Sequence, residues 1–169
     1  MAWTTPISWV TGSVVTAAQL NQQLRDNLNF LFDPPEARIF NAAVSVASGT
    51  VPGALSLPTV VWDSTGSTMT SAAGKITIPL AGVYEVNGGG VWGASATGVV
   101  RRLGFLYPGP TSGGTSLVQN SNNITVEQTA SDMTKFAAND TVQLAGAQNS
   151  GGALNLTNAV LIVAWAGAG

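Results

Sequence analysis

Leucines set the first regular pattern in the chain. Leu20, Leu24, Leu28 and Leu31 recur at intervals of four, four and three, which lines them along one side of a helix. Asn21, Gln22, Arg25, Asp26 and Asn29 face away from that stripe. Thr16 supplies an N-cap whose hydroxyl can accept from a free N–H of the first turn, and Gln19, three residues on, completes a capping box. Asp33-Pro34-Pro35 ends the helix, because a residue before proline is pushed out of the α region. About four turns is marginal for a helix standing alone, so the stripe must pack on its own domain, on sister helices or on a host surface. Residues 1–15 read as an extended arm, punctuated by Trp3, Pro6, Trp9 and Gly12 and lacking a helical period.

From Ile39 the period becomes two. The expected strands are Ile39–Ala47, Thr59–Asp63, Lys75–Pro79, Gly82–Trp92, Val99–Tyr107, Thr115–Gln119, Ile124–Gln128, Met133–Phe136, Thr141–Ala147 and Leu154–Trp165. Turn chemistry separates them: Asp63-Ser-Thr-Gly66, Ala81-Gly82, Pro108-Gly-Pro110 and Asn149-Ser-Gly-Gly152. Short strands with short links and no helix between them predict a mainly β protein, an antiparallel sandwich or jelly roll. The chain divides into an arm and helix for attachment or assembly, residues 1–38, and a β domain, residues 39–169.

Two stretches break the simple alternation. "LNLTNAVLIVAWAG" becomes apolar at every position from Ala159 to Ala166. A strand with one wet face should alternate, so this one is expected to be covered on both. The second cover is a neighbouring subunit or, in the plainer reading, the protein's own arm. "VNGGGVWGAS" carries four glycines, which weaken a strand unless a backbone or an aromatic ring must come close. No Lys-Ser or Lys-Thr follows them, so they are not a phosphate loop.

Composition narrows the function. Charged residues make up 8% of the chain, against about 25% in an ordinary soluble domain. The surface is therefore built of Ser, Thr, Asn, Gln and Gly, or much of it is covered in an assembly. Net charge is −2, and Arg101-Arg102 is the one adjacent basic pair, so a groove that tracks phosphates is not expected. No positive n-region and apolar h-region opens the chain. Its longest apolar run, about ten residues, is half of what a membrane-spanning helix needs. A protein made in a cytoplasm, without membrane insertion, is the reading.

Histidine and cysteine are absent, which rules out Ser-His-Asp, Cys-His and His- or Cys-ligated metal sites. Glu127 and Asp132 come nearest to a carboxylate pair of the glycosidase kind, with turn and edge positions as the blander account. No catalytic residue, metal or cofactor is expected. Trp62, Tyr84, Trp92, Phe105, Tyr107, Phe136 and Trp165 are read as core rather than as a sugar platform. Trp3 and Trp9, on an arm without a core, are candidate anchors for a partner. Arg25 and Asp26 could bond a neighbour or simply pair in solvent.

Several segments carry resemblances. "FNAAVSV", "TVVWDSTGSTMTSAAGKITIPLAGVYEVNGGGVW", "VVRRLGFLYPG", "FAANDTVQLAGAQ" and "LNLTNAVLIVAWAG" together resemble the C1q/TNF-like jelly roll over roughly residues 39–167. Gly74-Lys75-Ile76-Thr77-Ile78-Pro79, Ala81-Gly82-Val83-Tyr84 and Asn139-Asp140-Thr141-Val142-Gln143-Leu144 match in order and spacing. That resemblance implies a compact homotrimer, with Val160, Leu161, Ile162, Val163 and Trp165 of the last strand as the interface candidates. The front, "WVTGSVVTAAQLNQQLRDNLNFL", resembles the N-terminal segment of tailed-bacteriophage structural proteins. It implies a virion surface protein: a capsid decoration, a head fiber or a short minor tail protein. Trp3, Trp9, Leu20, Leu24, Arg25, Asp26, Leu28 and Leu31 would then dock on the major capsid protein or another virion protein. The alternative is host attachment through a surface glycan.

Overall fold

The computed structural model of the chain describes residues 4–66, 68–71, 74–108, 112–119 and 123–168. Trp3 lies outside them. The helix starts where its capping box predicts: the Gln19 N–H donates to the Thr16 hydroxyl at 3.2 Å, and the Thr16 N–H donates to the Gln19 side-chain oxygen at 2.9 Å. It runs as α1 (Ala17–Leu20), a π-helical segment (Asn21–Asp26) and α2 (Asn27–Phe32), then breaks at Asp33 before the two prolines. The π segment is a departure from the regular helix expected.

Eleven strands follow: β1 (Glu36–Val46), β2 (Gly49–Ala54), β3 (Thr59–Asp63), β4 (Thr70–Ser71), β5 (Lys75–Thr77), β6 (Gly82–Trp92), β7 (Val100–Leu106), β8 (Ser112–Gln119), β9 (Val126–Phe136), β10 (Thr141–Gln148) and β11 (Leu154–Gly167). All but β2 form two five-stranded sheets, ordered β3-β1-β11-β6-β9 and β4-β5-β10-β7-β8. All the pairings within them are antiparallel. The sheets face each other over one core, in which Ile39, Leu161, Val163, Tyr84 and Trp92 of the first meet Leu103, Phe105, Val142 and Leu144 of the second. This is the mainly β jelly-roll sandwich that the alternation predicts.

Three local differences have physical reasons. The expected strands Ile124–Gln128 and Met133–Phe136 are one strand, β9, because Gln128 and Ala130 turn inward while Thr129 and Ser131 turn outward, without a break in period. β2 is not among the expected strands; it lies beside β10, where the Leu55 N–H just past its end donates to the Leu144 carbonyl at 2.8 Å, and its Pro52 is tolerated at such margins. β11 carries a bulge between Thr157 and Val160, where Asn158 takes φ 53°. The glycines of β6 answer the question that they raise. A Cβ on Gly88 would lie 2.5 Å from Leu144 Cδ1 and 2.9 Å from the Phe105 ring, so its absence lets the second sheet close onto the first.

Candidate assembly and attachment surfaces

The arm is strapped to the helix by two amides one turn apart. The Asn27 side chain accepts from the Thr4 N–H at 3.0 Å and donates to the Thr4 carbonyl at 2.9 Å. The Gln23 side-chain oxygen accepts from the Ile7 N–H at 3.0 Å. Extended backbone is thus satisfied without a strand partner. The helix is held to the β domain by Phe30, buried with its ring edge-on to Trp165 at 4.8 Å between centroids. Sequence reasoning did not single out Gln23, Asn27 and Phe30. Their spacing of four and three, beside the leucine stripe, was the signal available.

The leucines themselves are left outside. Leu20, Leu24, Leu28 and Leu31 are between 43% and 55% exposed, so the protein's own domain is not what covers the stripe. Val14, Val10 and Trp9 extend the exposed apolar surface along the arm, and Phe32 extends it at the end of α2. Each half-exposed leucine retains about 1 kcal/mol of burial still to be gained. Arg25 and Asp26 bond each other, Nε to Oδ1 at 2.8 Å, and that bond and the Asp26 charge raise the Arg25 pKa. An exposed pair of this kind adds little to stability.

The second surface is the outer face of the β3-β1-β11-β6-β9 sheet. The all-apolar run of β11 still obeys the period of two: Leu161 and Val163 are 0% exposed in the sandwich core, while Val160, Ile162 and Ala164 turn outward, half-buried. Of the five interface candidates, Val160 and Ile162 are therefore the outward pair. Leu161 and Val163 are spent on the monomer's own core, and Trp165 holds the helix. A shallow groove of about 390 Å³ lies on this face, lined by Val160, Ile162, Gly89, Asn87, Thr129 and Ser131 among others. Arg38 sits opposite Ile162 and also beside Trp62, with its guanidinium 5.5 Å above the indole ring. Trp62, read from sequence as core, is 37% exposed here instead. Trp92, Tyr84, Phe105 and Phe136 are buried, and Tyr107 and Trp165 pack against the core.

The polar groups form braces rather than a reactive centre. Glu127 is exposed on the outer side of β9, whereas Asp132 turns inward and accepts from the Tyr107 hydroxyl at 2.8 Å. Five residues apart on one strand, they lie on opposite faces and share no cleft. Burial, with the Asp132 bond, pushes the Tyr107 pKa up; burial pushes Tyr84 up to about 12. Among the described residues no group of three or more His, Cys, Asp or Glu could hold a metal. Arg101 is buried, which lowers its pKa, and its Nη1 donates to the Val100 carbonyl at 3.0 Å.

Asp63 closes the loop between β3 and β4. Its carboxylate accepts from the N–H groups of Thr65, Met69 and Thr70 and from the Thr65 and Thr70 hydroxyls. Burial alone would raise its pKa, but these hydrogen bonds to the charged form outweigh it and the pKa is lowered. A folded pKa below the unfolded one gives stability that is fully present above about pH 4. It is lost as pH falls through the folded value. Acid titration of unfolding should therefore show a stability loss below about pH 4 that is reduced in Asp63→Asn; an identical acid limb in the variant would refute the assignment.

With this geometry in place, likenesses to known proteins can be placed. No family model matches the chain. An uncharacterized protein of Acanthamoeba polyphaga mimivirus is 34% identical over 96 residues, which is 54% of this chain and 41% of that protein. The chain thus spans less than half of that relative's length. Among solved structures, the globular domain of zebrafish complement 1qA protein aligns with 76% of this chain and 100% of its own, at 17% identity and a TM-score of 0.49. The Eiger TNF of S. frugiperda aligns with 79% of this chain and 93% of its own, at 12% identity and a TM-score of 0.53. The fold is a C1q/TNF-like jelly roll.

Proposed function

We propose that this chain is a non-enzymatic structural protein of a virus particle, and of a tailed bacteriophage in particular. It is a homotrimeric jelly-roll knob on the virion surface, docked on the capsid or another virion protein by residues 1–38. The observation that carries this reading is the arm–helix unit. Its backbone is held in place by Asn27 and Gln23, yet its apolar side chains remain exposed. A segment so ordered and so poorly covered is built for a partner. The viral relative and the phage-like front segment support the particle as that partner. The outward Val160–Ile162 face supports self-association.

The mechanism is multivalent docking. Three arms linked through one trimer bind far more tightly than one arm, since the second and third attachments are intramolecular. A knob that binds across neighbouring capsid subunits stabilises the shell by mass action. A chain lacking residues 1–35 should still fold and sediment as a trimer, but should no longer co-sediment with particles that the full chain decorates. Decoration by the truncated protein would refute the arm's role.

A second reading, host attachment, is favoured by the end of the sandwich away from the helix. Strand β2 and the described loop residues 47–48, 93–99, 123–125 and 149–153 carry no charged side chain. Asn149 Oδ1 accepts from the Val99 and Val100 N–H groups, both at 2.8 Å, which fixes two of these loops together. A neutral, ordered surface of hydroxyls and amides suits an uncharged glycan. Binding on a glycan array would favour this role; its absence would leave decoration.

A further inference from the structure

We propose that the outer face of the β3-β1-β11-β6-β9 sheet meets itself head to tail, the Trp62 side of one copy seating in the groove of the next, so that three copies close a ring. The inference rests on the trimer reading above and adds which residues of the neighbour complete the groove. The strand registers place Trp62, Arg38, Ile162, Asn87 and Ser131 in one row across all five strands. The next row reads Thr59, Phe40, Val160, Gly89 and Thr129. The bulk of both rows, Trp62, Arg38 and Phe40, stands at the β3–β1 end. The β6–β9 end carries Asn87, Gly89, Thr129 and Ser131 and is hollowed into the groove of about 390 Å³. A ridge and a hollow at opposite ends of one face fit each other between copies, and a head-to-tail contact of this kind closes into a ring.

The dimensions of the face suit three copies. Each row spans four strand spacings, about 19 Å. Three rows set as the sides of a triangle stand about 5 Å from its centre, half of the separation at which sheets pack face to face, so Ile162 and Val160 fill the middle. Four rows would stand about 10 Å away and leave a channel. The β3 edge also calls for a cover. Thr59 to Trp62 are exposed, and no charge or proline stands among them to keep an edge strand from pairing. Charge agrees with shape. Arg38 steadies Trp62 from above, yet its buried Nε finds no hydrogen-bond partner among the described residues. Glu85, exposed beside the groove, accepts only from the Asn87 amide, at 2.9 Å. Arg25–Asp26 is the one ion pair among the described residues, so the cation at one end and the carboxylate at the other are both left for a neighbour.

The chain has no cysteine, so introduced thiols report directly. Thr59→Cys and Thr129→Cys, singly and together in the full-length protein, are treated with a bis-maleimide too short to span one chain's own row. Both threonines are exposed at opposite ends of the second row, so the fold tolerates the changes. The double variant should run as a covalent trimer on a denaturing gel, and each single variant as one chain. Linking in either single variant would bring like ends together and overturn the arrangement. Trp62→Ala should weaken association at least about tenfold, as the loss of a buried aromatic anchor does; unchanged association would remove Trp62 from the contact and the proposal with it. Light scattering of the unmodified protein separates the failures. A mass of three chains with no linking in the double variant removes the head-to-tail contact and keeps the trimer, and a mass of one or two chains removes both.

Discussion

Replacing Gln128 with leucine is expected to lower the unfolding free energy by about 3 kcal/mol, although leucine differs little from glutamine in volume. Gln128 is buried between the sheets. Its side-chain oxygen accepts from Trp92 Nε1 at 2.7 Å, and its amide nitrogen donates to the Ser116 carbonyl at 2.8 Å and to the Ser116 hydroxyl at 3.1 Å. Trp92 and Gln128 belong to β6 and β9 of one sheet, Ser116 to β8 of the other. One amide therefore satisfies groups on both layers. Leucine would fill the space but strand the indole N–H and remove a partner from the Ser116 carbonyl. Each buried group left unmade costs about 1–3 kcal/mol. At roughly 2–4 °C per kcal/mol for a domain of this size, Tm should fall by about 10 °C. Adding Trp92→Phe to Gln128→Leu removes the stranded donor and should restore part of the loss, since deleting both partners is gentler than deleting one. A Gln128→Leu protein within 0.5 kcal/mol of the parent in urea unfolding, roughly the effect of an ordinary surface change, would show that water takes over these bonds.

How much of this was legible beforehand depends on which force sets each feature. β6 lies where the alternation placed it, with the same ends, because a half-buried strand writes its period directly into its side chains; β3 also keeps its expected ends, although Thr59 to Trp62 are exposed. The capping box at Thr16 and Gln19 was legible for the same reason: both partners are local in the chain. β2 was not legible, because its place beside β10 is set by a strand distant in the sequence and not by its own residues. The attachment surface was half legible. Leucine spacing shows that Leu20, Leu24, Leu28 and Leu31 share a side, but not that this side faces away from the domain. Which face turns in was decided by Phe30 and Asn27, and an amide on a helix reads as solvated until the arm that it holds is seen. In β11 the apolar run was read as covered on both faces. Only the sheet order shows that Leu161 and Val163 serve the inner face and Val160 and Ile162 the outer.

In the trimer proposed above, Ile162→Asp should leave a folded monomer, with subunit affinity lowered by a factor of at least about 1,000, and this follows from the same division of faces. In the monomer Ile162 is half-buried on the outer sheet face, opposite Arg38 of β1 and Asn87 of β6. An aspartate there would find a guanidinium across the strand and water above, so the monomer bears it with modest loss despite the poor strand preference of aspartate. At a three-fold interface the same substitution places three carboxylates against one another and takes them out of water. Several kcal/mol per uncompensated charge is the scale of that penalty, and each 1.4 kcal/mol is a factor of ten in affinity. Light scattering should read one chain where the parent reads three, with far-UV circular dichroism unchanged. Leu161→Asp, one residue away, puts the charge into the sandwich core and should unfold the chain rather than dissociate it. A trimeric Ile162→Asp protein would move the subunit interface off the outer face of β11. It would leave the exposed leucines of the helix as the surface to search next.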